Sequence, residues 1–138
     1  MIDMTLDMAE KAVKAAQAKA KELGANMSVT VVDESGRTVM VARGDGCGFF
    51  TTETSRGKAT VSAAFRRASA DMAQGGVTTF TSSLPGLLPG QVLPSGGAVP
   101  IFNDGRCIGA IGCGGGTAEQ DHECATAGAN TIGSATRS

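Results

Sequence analysis

The chain has 138 residues, a formal net charge of −1 and 41% hydrophobic residues. This length and apolar content predict one folded domain, residues 1–138, and argue against disorder. With this charge, and with neither Trp nor Tyr in the chain, nothing indicates a nucleic-acid-binding surface. No apolar run reaches membrane length, and the N-terminal residues lack a signal-peptide pattern. We therefore predict a cytoplasmic protein with free cysteine thiols and without nucleic-acid or membrane partners.

The first third of the sequence predicts a helix and then a β-hairpin. Between Asp3 and Gly24, apolar residues recur at helical spacing, and a glycine is a typical C-terminal stop. From Met27 to Arg43, apolar and polar residues alternate on both sides of a turn at Gly36. Such alternation is typical of two antiparallel strands.

The middle of the chain combines a helical stretch with an irregular one. Residues 51–73 are rich in alanine and predict a helix, with Thr51 or Thr52 as its N-cap. Residues 74–99 hold three of the four prolines and many apolar side chains without a clear period. This segment is either a lid, binding wall or subunit contact, or a loop folded over the core as a short helix and an edge strand.

The last third predicts a second hairpin and a final helix. Asp104-Gly105 is a strong hairpin turn signal, and residues 107–113 read as a strand. Thr117-Ala118-Glu119-Gln120 has the pattern of a capping box, which starts a helix that we expect to reach about Thr136. Two hairpins with separate helices predict an α+β fold with an antiparallel sheet.

The glycine run before the final helix has two interpretations. Backbone N–H groups of residues 114–116 at a helix N-terminus can bind an anion, but Glu119 and Asp121 already place negative charge there. A structural turn is therefore favoured over a phosphate site. His122 and Cys124 diverge on a helix, and one histidine cannot complete a zinc set, so we predict no metal site.

Other candidate groups are one thiol and a basic cluster. Cys47 lies in a glycine-rich turn and is the candidate accessible thiol, although its interpretation as a small turn residue is favoured. Basic residues crowd the middle helix and the strand before it: Arg43, Arg56, Lys58, Arg66 and Arg67. They indicate either a site for ligand carboxylates or a solvated helix whose cations pair with acids such as Asp121.

Three motifs in collinear order resemble a known family. They are Gly57-Lys58-Ala59, Gly96-Gly97-x-x-Pro100-Ile101 and Gly115-Gly116-Thr117-x-Glu119-Gln120-Asp121. Over nearly the whole chain the sequence resembles the haem-degrading, GlcG-type family of HbpS-like proteins and PduO-type C-terminal domains. The resemblance implies a profilin-like, five-stranded antiparallel sheet flanked by helices. It also implies a homo-oligomer, from dimer to octamer, and haem as the cofactor if there is one.

The resemblance also implies a ligand-binding function. The first hypothesis is a protein that binds haem, another tetrapyrrole or a small organic acid. Its carboxylate anchors would be Arg43, Arg56 and Lys58, and its other ligand-binding residues Gly115, Gly116, Thr117 and Asp121. Because the first helix contains no histidine, His122 is the candidate haem ligand.

Two further hypotheses belong to other classes. In the second hypothesis the chain is a cofactor-free lyase or isomerase that acts on a small carboxylate, such as a hydroxylaminobenzoate-type compound. Lys58 or Glu119 would then be the acid/base, with Cys47 or His122 as alternates. In the third hypothesis the protein is a non-catalytic assembly partner.

Overall fold

The computed structural model describes residues 3–74 and 78–137, and all of its helices and strands lie within those ranges. In chain order the elements are α1 (Leu6–Glu22), β1 (Ser28–Asp33), β2 (Thr38–Ala42), α2 (Thr51–Phe65), α3 (Ser69–Gln74), α4 (Thr79–Leu87), β3 (Ala98–Asn103), β4 (Arg106–Gly114) and α5 (Ala118–Ala129). No helix in these ranges is both long and apolar enough to cross a membrane.

The strands form one antiparallel sheet in the order β2-β1-β4-β3. The α+β class predicted from the two hairpins is therefore confirmed. The described residues contain four strands, and the expectation of five is wrong for them. Beyond β3, the place of a further strand is taken by a single bridge, in which the backbones of Phe102 and Ser134 exchange two hydrogen bonds.

The two faces of the sheet are packed differently. Helices α1 and α5 cover one face, where alternate residues such as Val29, Val31 and Ile111 enter the main apolar core. Helix α2 covers the other face, and there the contacts are partly polar. Hydroxyl pairs join Ser28 to Thr51 at 2.7 Å and Thr30 to Ser55 at 2.8 Å, all of them buried.

A glycine on β4 lets α2 approach the sheet closely. A Cβ atom on Gly112 would lie 2.2 Å from the Ser55 carbonyl oxygen and 3.0 Å from the Ala59 nitrogen. No other residue fits at that separation. The backbone contact brings the buried face of α2 within reach of the end of β4, where the candidate site lies.

Helix boundaries differ from the sequence prediction at three places. The N-cap of α2 is Phe50, because the Thr51 hydroxyl donates to the Gly48 carbonyl and is used against the sheet. The predicted helix over residues 51–73 breaks at Arg66, whose backbone is left-handed (φ 56, ψ 42). Helix α5 ends at Ala129, because the residues that follow turn back to the edge of β3.

The proline-rich segment folds over α2. Residues 75–77 of this segment lie outside the described residues. Helix α4 begins with a capping box between Thr78 and Thr81, and Leu84 and Val92 pack against Val61 of α2. The short helix of one alternative is present as α4, and the last two residues of the segment, Ala98 and Val99, begin the edge strand β3. Leu93 and Ser95 line the candidate site described below, so the segment also forms a binding wall.

Candidate functional site

A buried ion pair joins α2 to the first turn of α5. The Lys58 ammonium donates to Asp121 Oδ2 and to the Cys113 carbonyl oxygen, each at 3.0 Å. The other carboxylate oxygen, Asp121 Oδ1, accepts the Gly116 N–H at 3.0 Å. Lys58 is 7% exposed and Asp121 is 3% exposed. Buried charges are tolerated when they are paired and hydrogen bonded in this way.

The space for this ion pair depends on a glycine. Gly97 has φ +132, and a Cβ atom there would lie 2.8 Å from Asp121 Cβ and 2.9 Å from Lys58 Nζ. The Gly97 carbonyl oxygen also accepts the Cys113 N–H at 2.9 Å. Both conformation and space therefore require glycine, which gives a physical reason for the Gly96-Gly97 motif.

An open cleft of about 750 Å³ adjoins the ion pair. Lys58 and Asp121 lie on its wall, and most of the other lining residues are small or polar; they include Cys47, Thr54, Ser95, Gly115, Gly116 and Gln120. An ammonium group has three N–H donors, and Asp121 and Cys113 occupy two of them. The third N–H of Lys58 has no partner among the described residues. We call this region the lysine cleft.

The predicted capping box at Thr117 is confirmed. The backbone N–H groups at this helix start, which could have bound an anion, form hydrogen bonds within the chain. Thr117 Oγ1 accepts the Gln120 N–H, and Gln120 Oε1 accepts the Thr117 N–H, both at 3.1 Å. The Gly116 N–H is bonded to Asp121. The chain itself therefore satisfies the N–H groups of Gly116 and Thr117.

The structure separates the predicted site residues into two groups. Lys58, Gly115, Gly116 and Asp121 meet at the lysine cleft. The remaining candidates do not line it: Arg43, Arg56, Thr117, Glu119 and His122.

The residues outside the lysine cleft have other surroundings. Arg56 pairs with Glu53 at 2.9 Å and donates to the Gly90 carbonyl, so it ties α2 to the proline-rich segment. Arg43 follows β2 directly and is exposed. Glu119 is exposed and lines a smaller cleft, of about 470 Å³, together with His122. The structure therefore brings Lys58 next to Asp121 and not next to Glu119.

Among the cysteines, Cys47 is the half-buried one. It lines the lysine cleft, and no disulfide joins it to Cys107, Cys113 or Cys124. Burial, reinforced by the nearby Cys124 and Asp121, raises the pKa of the Cys113 thiol well above its ordinary value. Burial and Asp121 likewise raise the pKa of Cys124 to about 11. These two thiols are consequently inert at neutral pH.

Neither a cysteine–histidine pair nor a metal site is assembled in the described ranges. Cys47 and His122 line different clefts. Residues 3–74 and 78–137 contain no group of three or more His, Cys, Asp or Glu side chains that could hold a metal ion.

Several residues of the lysine cleft are not singled out from the sequence, among them Ser95, Thr54 and Gln120. The sequence assigns Gln120 only to the capping box, whereas its side chain serves both the cap and the cleft. Ser95 immediately precedes the Gly96-Gly97 motif, and this proximity could have identified Ser95 as a candidate. Thr54 carries no distinguishing signal in the sequence.

Comparisons with known proteins agree across nearly the whole chain. The family model described as "Haem degrading protein HbpS-like" matches residues 4–130. An uncharacterized 15.0 kDa protein from the dhaT-dhaS intergenic region of Citrobacter freundii is 31% identical over 121 residues, which cover 86% of this chain and 84% of the relative.

Two solved structures extend the comparison. A double mutant of HbpS from Streptomyces reticuli is 30% identical with a TM-score of 0.84, covering 94% of this chain and 87% of that one. A complex of PduOC with haem is 24% identical with a TM-score of 0.81, covering 92% of this chain and 93% of that one. At that identity the second likeness shows the fold alone.

Proposed function

The chain belongs to the HbpS-like family, and we propose that it binds a small organic anion, such as an aromatic carboxylate, in the lysine cleft. The single observation that carries this proposal is the third N–H of Lys58, which has no partner among the described residues and belongs to a side chain that lines an open cleft. A charged donor held in a buried position makes a strong hydrogen bond to a carboxylate.

The chemistry of the cleft favours a monoanion. Asp121 balances the charge of Lys58, so the pair carries no net positive charge. It contributes to binding through one oriented hydrogen-bond donor and not through a strong positive potential. The side chains of Ser95, Thr54 and Gln120 supply neutral polar partners. A ligand with one carboxylate and a small polar substituent matches this set.

Calorimetric titration with benzoate tests the proposal. The wild type should bind benzoate saturably, and the double variant Lys58→Met/Asp121→Leu should lose binding by about tenfold or more, the loss of one charged hydrogen bond. The double variant removes both charges together, so it avoids an unpaired buried ion. Lys21→Met, which removes an exposed ammonium from the end of α1, is the matched control and should bind normally. Equal affinity in the wild type and the double variant would refute the proposal.

Haem is a second candidate ligand, favoured by the family description. The lysine cleft does not fit a haem held by imidazole, because His122 is not among its residues. His122 has a buried Nδ1 with no hydrogen-bond partner among the described residues, so its ring is not committed to another group. We propose that any haem binding through His122 takes place outside the lysine cleft. Haemin titration should then give a saturable Soret change that His122→Ala abolishes, and no saturable change would exclude haem.

A lyase or isomerase activity is the alternative function for the lysine cleft. The adjacent ammonium and carboxylate of Lys58 and Asp121 are the type of pair that moves protons in such enzymes. We propose Lys58 as the acid/base for a hydroxylaminobenzoate-type substrate, in preference to Glu119, which lines a different cleft. Turnover retained by Lys58→Met/Asp121→Leu would remove this assignment.

Self-association is also part of the proposal. Phe49 is 81% exposed and Phe50 is 57% exposed, and they follow the edge strand β2, where Val41 is 47% exposed. Phe50 also lines the lysine cleft, so a second copy packed on these side chains would close the cleft. Assembly from dimer to octamer, a role as a non-catalytic assembly partner and a cytoplasmic location stay predictions.

A further inference from the structure

A second cleft of about 670 Å³ lies between the end of α2, α3, β3, α5 and the C-terminal residues. Its charged and polar lining includes Arg66, Arg67, His122 and Arg137, and its apolar lining includes Val99 and Phe102. We call it the arginine cleft. We infer that it binds a small molecule that carries a phosphate-type dianion on an apolar body. The inference does not depend on the function proposed for the lysine cleft.

The charge of the arginine cleft is unbalanced. Among the described residues, three guanidinium groups line it with one carboxylate, that of Asp71. Arg67 Nε lies 3.8 Å from Asp71 Oδ2, whereas Arg66 and Arg137 have no carboxylate within 4.0 Å in the described part of the chain. The whole chain has a net charge of −1, so this excess is local. Guanidinium groups bind phosphate in a fixed, two-pronged geometry.

Arg66 occupies a position where glycine would be more favourable. It caps α2 in the left-handed conformation, with φ 56 and ψ 42. Side chains with a Cβ adopt this conformation at a cost, and glycine is the usual residue there. The Arg66 side chain lines the cleft at the point where the chain turns from α2 to α3. A strained charged residue on a cleft is typical of a functional position.

His122 adds a polar group that the fold leaves unused. Its Nδ1 is buried without a hydrogen-bond partner among the described residues. His122 lines the cleft, and an imidazole nitrogen can donate a hydrogen bond. Thr126, one turn later on α5, lines the same cleft. A donor beside the three guanidinium groups complements phosphate oxygens.

The floor of the arginine cleft selects for an apolar body. Val99 and Phe102 of β3 lie at its base and are buried, whereas the half-buried Phe65 and Ala68 supply accessible apolar surface. The bridge between Phe102 and Ser134 brings the C-terminal residues to its edge. The Arg137 guanidinium carbon lies 5.0 Å from the centre of the Phe102 ring. The guanidinium is thereby held over the ring, and its own planar face can stack on an aromatic ligand.

Phenyl phosphate is the probe that tests the inference. His122 is the only histidine of the chain, so its imidazole resonances are assigned without ambiguity. Because His122 also lines the cleft beside Glu119, the arginine variants described below decide whether the shift reports on the arginine cleft. Phenyl phosphate should shift them saturably, phenol should not, and inorganic phosphate should bind at least several-fold more weakly. Absence of a saturable shift, or equal binding of inorganic phosphate, would overturn the inference.

The variant Arg66→Gly separates binding from stability. It relieves the left-handed strain, so its thermal midpoint should rise while phenyl phosphate binding weakens by about tenfold, as expected for one charged contact. Arg137→Ala should weaken binding comparably. Arg37→Ala, which removes an arginine from the β1–β2 turn on another part of the surface, is the matched control and should bind like the wild type. Unchanged binding in Arg66→Gly and Arg137→Ala would refute the assignment.

Discussion

Two neighbouring residues of α5 face two different kinds of cleft. Asp121 is buried, and both its carboxylate oxygens are hydrogen bonded, one to Lys58 and one to Gly116. His122 lines the arginine cleft with Nδ1 unpartnered within the described residues and with uncompensated guanidinium groups nearby. Around Asp121, both carboxylate oxygens have hydrogen-bond donors, and this network holds the Lys58 ammonium in place. Around His122, polar groups lack partners among the described residues, and a ligand can supply them. Completeness of hydrogen bonding, rather than the number of charges, distinguishes the two regions.

The largest expected change in stability follows from disrupting the buried Lys58–Asp121 pair. Asp121→Ala leaves the Lys58 ammonium buried without its counter-charge, and should lower the free energy of unfolding by about 3–5 kcal/mol. Urea denaturation measures the loss. The double variant Lys58→Met/Asp121→Leu should recover most of it, because apolar groups of similar volume often replace a buried pair without penalty. A small loss in Asp121→Ala would show that the pair is hydrated and flexible.

The next effect comes from the glycine that makes room for the pair. Gly97→Ala places a Cβ atom within 3 Å of Asp121 and Lys58 at φ +132, and should destabilise the fold by about 1–3 kcal/mol. Gly86→Ala on α4 is the control, since a Cβ there meets nothing within 4 Å. Thermal unfolding should show no loss for the control. Equal stability of the two variants would contradict the close packing described for Gly97.

A smaller effect of opposite sign is expected at the arginine cleft. Arg66→Gly should stabilise the protein by about 1 kcal/mol, because glycine adopts the left-handed conformation without steric cost. Arg67→Gly is the comparison, since Arg67 has no positive φ and should gain nothing. A loss of stability in Arg66→Gly would show that the Arg66 side chain is held by packing rather than kept for a ligand.

The smallest perturbation is chemical labelling of the thiols. At pH 8 iodoacetamide should modify Cys47 alone, because Cys124, with its pKa raised to about 11 by burial and Asp121, stays protonated, as does the buried Cys113. Mass spectrometry of the intact protein should show one adduct. Benzoate should slow its formation, because Cys47 lines the lysine cleft. Rapid labelling of several cysteines would show that the core opens readily.

Local signals predict much of the fold. The capping box at Thr117 and the Asp104-Gly105 turn depend on residues close in sequence, and both are present; Asp104 has φ 51 and Gly105 has φ 76. The helix break at Arg66 could not be predicted, because arginine is a good helix former and the surrounding packing overrides its propensity. The predicted cap at Thr51 is wrong, since its hydroxyl is used against β1.

The candidate site is predicted only in part. Lys58 and Asp121 are both candidates from the sequence, but their pairing joins residues 63 positions apart and depends on how closely α2 approaches the sheet. The basic cluster of the middle helix divides in three dimensions. Lys58 enters the lysine cleft, Arg56 pairs with Glu53, and Arg66 reaches the arginine cleft. A sequence pattern does not distinguish these environments, because each is created by other elements.

The most direct test of the division into two clefts is a pair of titrations followed by amide and imidazole resonances in one protein sample. Benzoate should shift the amides of Gly115, Gly116 and Ser95 and leave the His122 imidazole unchanged. Phenyl phosphate should shift the His122 imidazole and leave those amides unchanged. Both ligands shifting the same resonances would contradict two independent clefts, and a lack of response to benzoate would contradict ligand binding at Lys58.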